Sequence, residues 1–125
     1  MRQAGRVTIS ASDTRAALSR IQARRRTVED RLTHVQARLT DVRVARHEWT
    51  DEEHDPEGFA LTFEWQQAEG ARSQYELDLH ALDAAEARLA EGRYGLCEAC
   101  GGPIPDAQLE IRPERATCVT CIDQS

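Results

Sequence analysis

A chain of 125 residues with 30% charged residues, two Phe, two Tyr and two Trp has little material for a large globular core. Long helices packed in pairs need less, because each residue row buries only a narrow stripe. No apolar run approaches the roughly eighteen residues of a transmembrane helix, and the opening MRQAGRVTIS lacks the apolar stretch of a signal peptide. The expectation from these features is a cytoplasmic protein with no membrane partner, in a compartment where thiols stay reduced.

The net charge of −6 conceals an asymmetry. Residues 1–46 carry eleven Arg against four acids, residues 47–91 thirteen acids against two Arg, and residues 92–125 five acids against three Arg. An acidic chain is poorly suited to grip a phosphate backbone, so direct sequence-specific DNA binding is not expected.

Residues 1–11 read as a short disordered arm. Ser12 or Asp13 can cap a first helix. Its apolar seam runs through Leu18, Ile21, Arg25, Val28, Leu32, Val35, Leu39, Val42, Arg46 and Trp49, alternating steps of three and four. That is a heptad pattern, the signature of a coiled-coil helix. The break falls at His54-Asp55-Pro56-Glu57-Gly58. Pro56 cannot continue the first helix but can open a second, with Asp55 as its N-cap. The second seam passes through Leu61, Trp65, Ala68, Arg72, Tyr75, Leu79, Leu82, Glu86 and Leu89 and stops at Gly92. Two helices of similar length joined by a short turn run antiparallel. The expected fold is therefore mainly α: an antiparallel two-helix coiled-coil hairpin over 12–92, its tip near 50–58, followed by a four-cysteine module over 93–125.

Cys97, Cys100, Cys118 and Cys121 form two CxxC pairs separated by 17 residues. This spacing suits a four-thiolate zinc site. Such a site is closed, with no position left for water or substrate, so one structural zinc ion is expected. The segment is rich in Gly and Pro and too small to fold on its own core, and the metal would supply the missing free energy.

A second cluster lies at the turn. Glu48, Asp51, Glu52, Glu53, Asp55 and Glu57 put six acids within ten residues with no Arg among them. Acids suit the start of the second helix, but Asp51, Glu52 and Glu53 face the wrong pole of the first. Local conflict of this kind points to function. His34, His47, His54 and His80 form no HxxxH or HExxH pair, and no P-loop, GxSxG or dinucleotide glycine pattern occurs, so no enzyme is expected.

The run Tyr94-Gly95-Leu96-Cys97-Glu98-Ala99-Cys100-Gly101, followed by Ile104, Leu109, Pro113, Cys118 and Cys121, resembles the zinc-finger signature of the DksA/TraR family of RNA polymerase regulators. The two helical arms agree with that family in type and length, and the chain is nearest its short, TraR-like forms. The resemblance implies a monomeric transcription regulator whose hairpin enters the secondary channel of RNA polymerase. It makes Asp51, Glu52, Glu53, Asp55 and Ala60 the polymerase-facing tip. Asp55 and Ala60 match the first Asp and the Ala of the family's Asp-x-x-Asp-x-Ala tip motif, while Gly58 replaces its second Asp. The rival reading is a zinc-stabilised coiled-coil scaffold or dimerisation module, suggested by the polar seam residues Arg25, Arg46 and Arg72.

Overall fold

The computed structural model describes residues 11–48 and 56–122, with side chains over 13–47 and 59–121. Four helices follow in chain order: α1 (Ala11–Glu48), α2 (Pro56–Ala90), α3 (Asp106–Ile111) and α4 (Val119–Ile122). The mainly α architecture read from the periodicity is present, with two long helices ahead of the cysteine module. Pro56 is the first residue of α2, where its missing N–H has no helical partner to lose. α1 begins earlier than expected, at Ala11, so Asp13 lies in the first turn, where its charge suits the helix dipole. The expected arm, apart from Ala11, and the expected turn residues Trp49 to Asp55 lie outside the described residues.

The described residues divide into two compact units. One is the helical segment Thr27–Leu77. Its buried apolar residues are Val28, Leu39, Val42 and Ala68, all seam positions, and Arg38 bonds Glu64 across the pair at 3.1 Å. Arg72, also a seam position, instead turns to its own helix and pairs with Glu69 at 2.7 Å and Glu76 at 2.8 Å. Arg46 is exposed, so the seam does not extend to it.

The other unit joins the N-terminal part of α1, through Arg26, to everything from Asp78 onward. Ile21 and Leu82 are fully buried at its centre. Two polar seam positions there face one another. Arg25 bonds Glu86 at 3.0 Å and Asp83 at 2.8 Å, so the two break the apolar stripe at the same level. With Asp83 well exposed, each pair is worth only about 0.2–1 kcal/mol. Its effect is on register, since a slip would strand Arg25 against apolar neighbours. α2 is buried over a wider arc here than one seam requires. Ala85 and Arg88 are buried beside Leu82, because the cysteine module covers a second face of the helix.

Leu82→Ala should therefore cost about 2–5 kcal/mol of stability by the cavity it leaves. Leu77→Ala, at a site 61% exposed, should change it by no more than about 0.5 kcal/mol. Urea unfolding followed by helical circular dichroism measures both.

Candidate metal centre

α2 ends in a double closure. The Gly92 N–H donates to the Leu89 carbonyl at 3.3 Å and the Arg93 N–H to the Arg88 carbonyl at 2.8 Å. Gly92 sits at φ 78°, the left-handed conformation that this stop requires. The chain thus leaves the helix in a defined direction and enters the cysteine module.

The first CxxC lies on a tight backbone loop. Leu96 and Pro103 form an isolated antiparallel bridge. Inside it the Cys97 N–H donates to the Gly102 carbonyl, and the Gly101 N–H to the Cys97 carbonyl, both at 2.8 Å. Gly101, at φ 77°, allows the chain to turn back directly after Cys100. The second CxxC spans the start of α4, with the Cys121 N–H donating to the Cys118 carbonyl at 3.1 Å. The two halves are joined by the Glu98 N–H, which donates to the Ala116 carbonyl at 2.8 Å.

These turns bring the four Sγ atoms within 4.8 Å of one another. A zinc ion with bonds of about 2.3 Å needs sulfurs roughly 3.8 Å apart, so only a small contraction closes the tetrahedron. Backbone N–H groups already point at the sulfurs. Cys97 Sγ accepts from Cys100 at 3.5 Å and from Cys118 at 3.4 Å, and Cys100 Sγ accepts from Gly102 at 3.4 Å. Such donors favour the thiolate. The Cys118 N–H is the main cause that lowers Cys97 to about 6. Cys121 is pushed up to about 12, chiefly by its hydrogen bond with the Cys118 thiol. A zinc ion removes the reason for Cys121 to keep its proton.

Two side chains outside both seams hold the module to α2. Arg88 is 5% exposed. Its guanidinium donates to the carbonyls of Glu114 at 3.3 Å and Arg115 at 3.5 Å. The buried Tyr94 hydroxyl donates to the Pro113 carbonyl at 2.8 Å. Burial raises the Tyr94 phenol above its usual value, against the opposing pull of Arg20 and Arg88. Together they grip three successive carbonyls of the segment that leads to Cys118. The signal for Tyr94 was its place in the signature run. Arg88 carried none, because its partners are backbone atoms far along the chain. Of the expected tip residues, Asp51, Glu52, Glu53 and Asp55 lie outside the described residues, and Ala60 is exposed on α2.

Residues 92–121 match the family model described as the prokaryotic dksA/traR C4-type zinc finger. The chain carries a zinc finger of the DksA/TraR family. It takes one structural zinc ion, which the clustered thiols fit. Among solved structures, the transcription factor DksA2 from Pseudomonas aeruginosa is similar over 93% of this chain and 84% of its own, with a TM-score of 0.71 and 20% identity. The likeness shows that the fold is shared. No curated protein sequence matches the chain.

Zinc uptake by this DksA/TraR-type finger must displace the proton that Cys121 holds, so affinity should fall as pH falls. A chelator competition should show tighter binding at pH 8 than at pH 6 and proton release on metal addition. Tyr94→Phe leaves the Pro113 carbonyl unpaired in a buried site, and should cost about 1–3 kcal/mol in urea unfolding of the zinc-loaded protein.

Proposed function

We propose that this chain is a non-enzymatic transcription regulator that binds RNA polymerase as a monomer in the cytoplasm and places the acidic turn between α1 and α2 in the secondary channel. The observation that carries this reading is the DksA/TraR-type finger attached to a fold shared with a transcription factor. In it, Cys97, Cys100, Cys118 and Cys121 bind the zinc, the finger comprises residues 93–125, and the hairpin comprises residues 12–92. A four-thiolate zinc has no free coordination position, so its contribution is structural. It holds the finger against α2, where Arg88 and Tyr94 fix the approach of its second half.

The charge pattern supports the same division of labour. The finger segment carries five acids against three Arg, which disfavours a direct grip on phosphates. The six acids from Glu48 to Glu57, with no Arg among them, form the strongest single-sign run in the chain. On this reading Asp51, Glu52, Glu53 and Asp55 act on basic groups or bound metal ions deep in the channel, and Ala60 allows α2 close approach to the channel wall. Gly58 removes one of the two charges of the family's tip motif, so the neighbouring acids supply the field in its place. No described helix is long and apolar enough to cross a membrane.

The test is in vitro transcription with cognate polymerase. Replacing Asp51, Glu52, Glu53 and Asp55 with Ala should leave polymerase binding within a few-fold and abolish the change in promoter-complex lifetime. Equal activity of this variant and the wild-type chain would reject the tip mechanism. Failure of the wild-type chain to bind polymerase in a pull-down would reject the reading as a whole.

A further inference from the structure

The outward side of α2 carries a second heptad row. Phe59, Phe63, Gln66, Gly70, Ser73 and Leu77 follow one another in steps of four and three, and all six are exposed. They lie roughly opposite the packed seam of Leu61, Trp65 and Ala68, since two residues on a helix differ by about 200°. Both phenylalanines of the chain are in this row, 84% and 61% exposed, and Leu77 is 61% exposed. The row contains no charge, although residues 56–77 carry four acids and one Arg. A solvated helix face ordinarily carries its charges outward. Here they flank the row and are largely spent within the protein. Glu69 and Glu76 pair with Arg72, and Glu64 pairs with Arg38. At Gly70 an added Cβ would meet nothing within 4 Å, so the middle of the row is open to close approach by another backbone.

We infer that this row is a docking surface for a protein groove that is apolar along about 27 Å of helix and basic at the end that receives Phe59. The polarity follows from charge complementarity. In the sequence Phe59 closely follows the run of six acids from Glu48 to Glu57, whereas Glu64, Glu69 and Glu76 farther along pair with Arg38 and Arg72. A groove matching that gradient has its Lys and Arg at one end only. Phe, like Tyr and Trp, is enriched at the cores of protein–protein interfaces relative to the rest of the surface. This inference rests on the proposed reading for the partner's name, RNA polymerase. It adds a contact surface along the side of the helix, separate from the acids of the turn.

The experiment measures the affinity of the full-length, zinc-loaded chain for core polymerase at low and high salt. Phe63→Glu, and the pair Phe59→Ala with Phe63→Ala, should each weaken binding about ten-fold or more at both salt concentrations, with helicity and zinc content unchanged. Ala37→Glu, on the exposed side of α1, should stay within about twofold. Apolar burial resists salt, whereas the part due to the turn acids fades with screening. If the wild-type chain binds and Phe63→Glu binds equally well, the inference fails and the proposed function stands. No binding by the wild-type chain removes both. A wild-type dimer in sedimentation that Phe63→Glu converts to monomer also overturns the inference, because the row then faces a second copy.

Discussion

Four thiols held within 4.8 Å of one another place a demand on everything around them. They cannot all ionise without a cation, and they cannot be brought together without closing two backbone turns and folding the intervening segment. The finger has only a few buried apolar residues, among them Tyr94, Ile104 and Leu109. That is too little to offset the entropy of ordering some thirty residues at about 1–2 kcal/mol each. Structural zinc supplies apparent free energies of about 10–16 kcal/mol in fingers of this kind. The module's folding is thus conditional on the metal, and the attachment of the finger to α2 depends on the folded module.

That attachment is polar at its core. Arg88 and Tyr94 donate to the carbonyls of Pro113, Glu114 and Arg115. An apolar contact of the same area would hold the finger against α2 with less definition of angle. Hydrogen bonds to three successive carbonyls constrain position and rotation together. Breaking the bond to Pro113 or to Glu114 leaves a buried polar group unpaired, so the cost of misplacement is high. The Schellman closure at Gly92 works toward the same end, because it sets the direction in which the chain leaves α2.

The long helices show a different economy. Each unit has few fully buried side chains, and several seam positions are only half-buried. Such a pair is held by a thin apolar stripe and by register devices such as Arg25 against Glu86. It leaves the outer sides of both helices free for partners. A neutral, partly aromatic row on α2 is therefore informative, since burial within the chain does not require it.

Much of this was legible in the residues themselves. Heptad spacing gave away both helices because a packed stripe must recur every three or four residues, and Pro56 and Gly92 marked their limits because each has a backbone geometry with few alternatives. The CxxC spacing announced the metal because zinc restricts ligand type and separation. What the sequence could not disclose was set by contacts between residues far apart in the chain. Arg25 and Arg72 look alike as polar seam positions, yet one crosses to α1's partner helix and the other turns back to Glu69 and Glu76. Arg88 reads as a solvated helix residue, and becomes buried only because the carbonyls of Glu114 and Arg115 arrive over it. Local pattern dictated the elements and the metal chemistry, since both depend on near neighbours. The anchoring of the finger and the pairing of each arginine were decided by tertiary packing, which alone determines which backbone carbonyls and carboxylates come within reach.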